Sequence, residues 1–261
     1  MTQRNILLLM VLAVVGLTVV DAFVVYGLQD PTRYVAHATL RSLALGIAAV
    51  TAAMTAARFR WAGEYVGRAW TLLFTLYAFL TVSYVLNRVG IKDQMLADVM
   101  TIAGNLAAIG AFWLFSRALR KAGLQFYGPA SVKIGVIVAA VAVASVLVVP
   151  TMIDIWRSDA GLLSRVADFV SSGADFVTFM LVAPLLLTLW SFRGGQLSWV
   201  YGCLALSTIG WMINSAADNL LPEVAVREAQ MTGLFLACMA VAAAAYSQLA
   251  TSRSRMGAAH V

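Results

Sequence analysis

The feature that most constrains this chain is a series of apolar runs, each long enough to cross a lipid bilayer. Eight such runs occur, at residues 5–28, 36–57, 66–87, 95–117, 132–154, 166–191, 198–219 and 224–249. About 20 apolar residues in a helix span the hydrocarbon core, which is roughly 30 Å thick. Helices satisfy every backbone hydrogen bond internally, as lipid requires. The sequence therefore predicts an all-α fold, a polytopic membrane bundle of about eight transmembrane helices.

Composition supports the same class. The chain is 62% hydrophobic and only 11% charged, whereas roughly a quarter of the residues in a soluble domain are charged. Such a chain cannot cover a core with a polar surface. The first run, which follows Arg4, continues for roughly 24 residues without a clear cleavage site, so we expect it to be retained as the first span rather than removed as a signal peptide.

The connections between the runs are short, so we expect residues 1–261 to form a single integral membrane domain. Some residue types recur at a similar offset: Asp21 and Asp154 are 133 residues apart, and Arg33 and Arg165 are 132 apart. This recurrence favours an internal duplication into two parallel four-helix halves, 1–121 and 132–252. Repeats of this kind are related by an axis along the membrane normal.

Charge is distributed unequally between the two ends of the predicted bundle. Eight spans place both termini on one side, where eleven basic residues and a single acid, Glu64, give a net charge of +10. The other side has seven basic and eleven acidic residues, a net charge of −4. Since basic loops are retained in the cytoplasm, we expect a multi-pass protein of the inner (plasma) membrane with both termini cytoplasmic.

Two carboxylates interrupt the sixth run. Asp168 and Asp175 are seven residues apart, about 20° out of register on a helix, so both point to one face. Asp175 is about ten residues into its predicted span, roughly 15 Å from the outer end. An ionised carboxylate at that depth costs at least about 2.5–3.5 kcal/mol and must face protein or water. The position is typical of a functional site inside the bundle.

Other predicted spans also have polar residues in their outer halves. His37 and Arg41 are four residues apart and share a helix face, as do Asn214 and Asp218. The residues that we expect to form a ligand-binding or proton-coupling site are Asp21, His37, Arg41, Asp98, Asn105, Asp168, Asp175, Asn214 and Asp218. Because the inner halves have almost no acids, this pattern predicts a basin that is open to the outside and has an apolar floor. Alternatively, Asp175 and Arg41 form a buried ion pair that fixes helix packing.

The residues offer little to a metal or an organic cofactor. A catalytic zinc site commonly uses three protein ligands, often histidines; of the two histidines, only His37 lies in a span, since His260 is on the tail. A retinal Schiff base needs a lysine within a helix, and Lys92, Lys121 and Lys133 lie in loops or at span ends. We therefore predict no metal site and no catalytic residue, and we name no cofactor.

These features favour a non-enzymatic membrane protein with an outward-facing acidic pocket that binds a small ligand or a lipid headgroup. Such a protein would act as a sensory or accessory subunit of a membrane complex. The expected partners are membrane lipid, a small-molecule ligand, and either another membrane protein or further copies of this chain. We do not expect a nucleic-acid partner. One alternative is a transporter coupled to protons or cations, with Asp175 as its titrating site. Another is an enzyme that modifies lipids in the outer leaflet.

Overall fold

The computed structural model describes residues 3–29, 32–60, 64–91, 93–121, 129–191 and 196–257. Within these ranges the chain forms eight α-helices and no strand. The helices are α1 (Gln3–Gly27), α2 (Thr32–Phe59), α3 (Glu64–Arg88), α4 (Gln94–Lys121), α5 (Ala130–Arg157), α6 (Leu162–Ser191), α7 (Gln196–Leu220) and α8 (Glu223–Gly257). All eight are long and apolar enough to span a membrane. The prediction of a multi-pass helical bundle is confirmed.

Hydroxyl side chains fit into these apolar helices because they bond to the backbone of their own helix. Thr18 donates to the carbonyl oxygen of Val14 at 2.9 Å, and Thr101 donates to that of Ala97, also at 2.9 Å. The same bond to the residue four positions earlier forms at Thr39, Ser42, Thr51, Thr55, Thr71, Thr75 and Thr81. Each bond satisfies a polar group that lipid could not.

Six helices form a closed ring, and two pack outside it. Going around the ring, the neighbours are α2, α3, α4, α6, α7 and α8, and α8 returns to α2. Outside the ring, α1 packs against α8 and α2, whereas α5 packs against α6 and α7. Each predicted half of the chain thus contributes three ring helices and one peripheral helix. The peripheral helices have different sets of neighbours, and the internal duplication stays a prediction.

Successive helices run in opposite directions, so the connections collect at the two ends of the bundle. We call the end with the α1–α2, α3–α4, α5–α6 and α7–α8 connections the acidic end, because eleven of the twelve acids belong to that half. The opposite end, which holds both termini, is the basic end. The charge asymmetry that the sequence indicates is therefore an asymmetry along the axis of the ring.

Aromatic side chains fill the ring on its basic half. Trp70 on α3 and Phe115 on α4 are fully buried, with ring centroids 5.5 Å apart in an edge-to-face arrangement. Phe115 makes a second edge contact, at 5.9 Å, with Tyr201 on α7. Because these rings join three ring helices, they form an apolar layer, here called the floor, beneath the acidic half.

Helices α7 and α8 cross closely at Gly210 and Gly233. A Cβ atom on Gly210 would lie 2.6 Å from the backbone carbonyl oxygen of Gly233 and from the backbone nitrogen of Ala237. A Cβ atom on Gly233 would lie 2.6 Å from the carbonyl oxygen of Gly210. Backbone atoms cannot move aside as a flexible side chain can, so only glycine fits at both positions. Small residues allow this close approach, which replaces the hydrophobic effect as the force that joins helices in lipid.

Gly210→Ala or Gly233→Ala should separate α7 from α8 and destabilise the bundle by about 1–3 kcal/mol, the usual cost of overpacking. The measurement is the apparent melting temperature in mild detergent. Gly202→Ala is the control on α7, since nothing lies within 4 Å of a Cβ atom there, and it should leave the melting temperature unchanged or raise it. Equal effects at positions 202 and 210 would contradict the close crossing.

Candidate functional site

Polar side chains that join different helices lie in the acidic half of the bundle. The first of these contacts joins peripheral helix α1 to the ring. Nδ1 of His37 on α2 lies 2.7 Å from Oδ1 of Asp21 on α1, and Asp21 is only 3% exposed. Nearby, the hydroxyl of Tyr26 on α1 donates to the carboxylate of Glu228 on α8. Asp21 and His37 therefore satisfy one another at the junction of α1 with α2.

Arg41 lies one turn deeper than His37 on α2 and contacts α3. Its guanidinium donates to the hydroxyl of Tyr84 and stacks 4.4 Å from the centre of that ring. Its Nε atom is buried and has no hydrogen-bond acceptor among the described atoms. The predicted alternative of an ion pair between Arg41 and Asp175 is not found among the described contacts, since each residue has a different partner.

Asp98 joins α4 to α6. It is 6% exposed and accepts two hydrogen bonds, one at 2.8 Å from Nε2 of Gln94 and one at 2.7 Å from the hydroxyl of Ser164. Asp168 is one turn beyond Ser164 on α6, and it is exposed. These two of the acids that the sequence grouped with Asp175 thus differ: Asp98 is buried and hydrogen-bonded between two helices, whereas Asp168 is exposed.

Asp175 is the deepest of the described acids. It lies thirteen residues past Leu162, the start of α6, which is about 20 Å along the helix. Only 8% of it is exposed, and its carboxylate accepts a hydrogen bond from the hydroxyl of Ser215 on α7. No arginine, lysine or histidine lies within salt-bridge distance of it among the described residues. Asp175 is therefore a buried carboxylate with a hydroxyl partner but no cationic one.

A cavity of about 40 Å³ adjoins this carboxylate, between α3, α4, α6 and α7. Leucine, alanine and phenylalanine side chains form part of its lining. The residues with polar side chains in the lining are Tyr77, Asn105, Ser171, Asp175, Thr178, Ser207, Thr208 and Trp211. The hydroxyl of Thr178 donates a hydrogen bond to the backbone oxygen of Asp175, at 3.2 Å. Asn105 donates to the backbone oxygen of Thr101 at 2.9 Å, which leaves its side-chain oxygen as an acceptor. Asp175 and Asn105 are the two predicted site residues that share this cavity.

A buried tyrosine closes the cavity toward α7, and sequence reasoning missed it. Tyr77 is fully buried; its hydroxyl accepts a hydrogen bond at 3.2 Å from the indole nitrogen of Trp211 and lies 3.3 Å from the hydroxyl of Ser207. A signal was present for its partners on α7, though not for Tyr77 itself, because Ser207, Trp211 and Ser215 recur every four residues and must share one face of α7. The same spacing rule that identified Asn214 with Asp218 would have found this stripe.

The last two predicted residues, Asn214 and Asp218, belong to α7, and the structure describes the side chain of the first. Asn214 donates from its side chain to the backbone oxygen of Gln230 at 2.8 Å, close to the glycine crossing with α8. The side chain of Asp218 lies outside the part of the chain that the structure describes. Asn214 therefore supports helix packing. The predicted site residues whose side chains are described divide among several helix junctions, and of these residues Asp175 and Asn105 line the cavity.

In the described part of the chain, no three His, Cys, Asp or Glu side chains lie close enough together to hold a metal ion. Lys92 and His260, considered above, lie outside the described residues. No protein-family model, curated protein or solved structure matches this chain. Its function has to be inferred from its own residues.

Removing the carboxylate of Asp98 should loosen the junction of α4 with α6. Asp98→Ala removes the acceptor that Gln94 and Ser164 share. A hydrogen bond to a charged group contributes about 1.5–3 kcal/mol, and we expect a loss of that size. Asp168→Ala, at an exposed position on α6, should change stability by less than about 0.5 kcal/mol. Thermal unfolding of both variants in the same detergent tests this, and an equal loss of stability would contradict the assigned difference in burial.

Proposed function

We propose that this multi-pass membrane protein binds a small cation, down to the size of a proton, at the carboxylate of Asp175, and that it acts as a sensory or accessory membrane component. The observation that carries the proposal is a buried carboxylate that has no cationic partner among the described residues and borders a small cavity with several side-chain oxygens in its lining. The wider prediction of a small ligand or a lipid headgroup is thereby narrowed to a cation.

The charge of Asp175 supports a cation as the ligand. A carboxylate inside the membrane costs at least about 2.5–3.5 kcal/mol even on the most lenient scale. One hydrogen bond from Ser215 offsets only part of the lost hydration, since a bond to a charged group contributes about 1.5–3 kcal/mol. A proton or a metal or ammonium cation would neutralise the charge directly. The cavity oxygens of Tyr77, Asn105 and Ser207 supply further ligands of the type that hard cations prefer.

The size of the cavity supports a very small ligand. One water molecule needs about 10–15 Å³ of such volume, so a cavity of about 40 Å³ accommodates roughly three waters or a small cation with one or two. Pockets for drug-sized ligands measure about 300–1,000 Å³. A metabolite or a phospholipid headgroup exceeds this space several-fold. Sodium, lithium, ammonium and hydronium are of the right size.

The packing on the basic side of the cavity favours binding over conduction. A transport path needs polar groups on both sides of the site, whereas Trp70, Phe115 and Tyr201 pack edge to face beneath it. A cation that enters from the acidic end would meet this apolar floor. The alternative of a coupled transporter predicts that cations cross the membrane by way of Asp175. A flux assay distinguishes it from the proposal.

Small cations should stabilise the purified protein through Asp175. At one hundred times the dissociation constant, a ligand stabilises the folded state by about 2.7 kcal/mol, which corresponds to roughly 5–10 °C for a chain of this size. We expect lithium, sodium or ammonium chloride to raise the melting temperature relative to N-methylglucamine chloride at equal ionic strength. If the proton is the ligand, lowering the pH should raise it instead. Asp175→Asn should abolish the increase, and a parallel change in tryptophan emission should disappear with Trp211→Phe.

Asp168→Asn is the matched control, because it removes a carboxylate from the exposed face of the same helix, and it should keep the full response. Identical cation and pH responses in the wild type and in Asp175→Asn would contradict the proposal. Proteoliposomes that carry a pH-sensitive or sodium-sensitive dye provide the second arm. Flux that Asp175→Asn abolishes would replace the sensory role with coupled transport, and binding without flux supports the sensory or accessory role.

A further inference from the structure

A second charged region lies at the basic end, where α3 begins and α4 ends. Arg68 on α3 and Arg117 and Lys121 on α4 are all exposed there. The two helices approach closely, since added Cβ atoms on Gly104 and Gly110 of α4 would lie 3.3 and 3.0 Å from side-chain atoms of leucines on α3. Lys121 contacts Tyr65 at the start of α3, and Arg68 follows Tyr65 by three residues, so the three cations lie on adjoining parts of one surface.

Aromatic rings hold two of these cations in place. The guanidinium of Arg117 lies 4.4 Å from the ring centre of Trp113, and the ammonium of Lys121 lies 5.3 Å from that of Tyr65 on α3. Tryptophan and tyrosine are enriched at the boundary between hydrocarbon and headgroups. A cation–π contact fixes the height of the charge and leaves the N–H groups free to donate to an acceptor. Both cations are thus oriented at the level of the lipid headgroups.

An apolar stripe continues from these cations into the membrane. Trp113 is 45% exposed and Leu106 is 56% exposed. They are seven residues apart on α4 and so share a helix face, and Arg117 is one turn beyond Trp113. A molecule on this surface would meet cationic donors at one end and exposed apolar side chains along the rest of its length.

We infer that this surface, formed by Tyr65, Arg68, Trp113, Arg117 and Lys121, is a binding site for an anionic phospholipid. Its phosphate would accept hydrogen bonds from Arg117 and Lys121, and an acyl chain would lie along Trp113 and Leu106. Arginine presents paired N–H groups that match phosphate oxygens. Charge complementarity favours this occupant, because the basic end has a net charge of +10 and the acidic end has −4. The inference is independent of the cation site at Asp175.

The test is the affinity of phosphatidylglycerol with a fluorescent acyl chain, measured by anisotropy for the full-length protein in a mild nonionic detergent. Wild-type protein should bind it at least tenfold more tightly than phosphatidylcholine with the same label. A basic residue near an anionic headgroup contributes about a fivefold change in affinity. Arg117→Gln combined with Lys121→Gln should therefore weaken phosphatidylglycerol binding by roughly 20- to 30-fold and leave phosphatidylcholine binding unchanged.

Arg157→Gln combined with Arg165→Gln is the matched control at the acidic end, where Arg165 also stacks on a tryptophan, 5.8 Å from the ring of Trp156. It removes the same charge and should change the affinity less than twofold. Arg117→Lys with Lys121→Arg should retain tight binding. Equal weakening in the two glutamine variants, or equal affinity of the wild type for both lipids, would overturn the inference. If the Arg117 and Lys121 variant does not fold, the wild type decides: its preference for phosphatidylglycerol should fall at least tenfold between 0.05 and 0.5 M salt.

Discussion

The structure depends on one constraint, that polar groups inside hydrocarbon must find their partners within the protein. Helices satisfy the backbone, and many threonine and serine hydroxyls bond to the preceding turn of their own helix. A carboxylate cannot donate to a backbone carbonyl oxygen and pairs instead with a side chain of another helix, as in the contacts of Asp21 with His37, of Asp98 with Ser164 and of Asp175 with Ser215. These polar residues of the acidic half thus connect neighbouring helices. The candidate site is the connection between Asp175 and Ser215, because a cavity adjoins it.

Helix α7 links this cavity to the close crossing with α8. It presents Ser207 and Trp211 to the cavity and Ser215 to Asp175, and another side of α7 packs against α8 at Gly210 and Gly233. The proposed cation site and the glycine crossing therefore share helix α7.

The two proposed sites lie at opposite ends and follow the same charge asymmetry. Acids collect at one end and attract cations, whereas the basic end attracts anionic headgroups. The aromatic floor of Trp70, Phe115 and Tyr201 separates the two. The same residue types serve different purposes at the two levels: rings stack on one another inside the floor, and Trp113 and Tyr65 stack on cations at the boundary.

The sequence by itself determined the eight spans, the asymmetry of charge and the depth of Asp175, because hydropathy, charge and helical rise are local properties. It also selected Asn105, which borders the same cavity. It could not determine that Asp21 and Asp98 are satisfied by His37 and Ser164 at other junctions, or that Tyr77 lines the cavity, since an aromatic residue in an apolar run resembles one that faces lipid. Only the tertiary structure decided that α4 packs against α6 rather than α5. In lipid, which helices become neighbours depends on close packing and interhelical hydrogen bonds, and the hydropathy of a sequence contains no information about either.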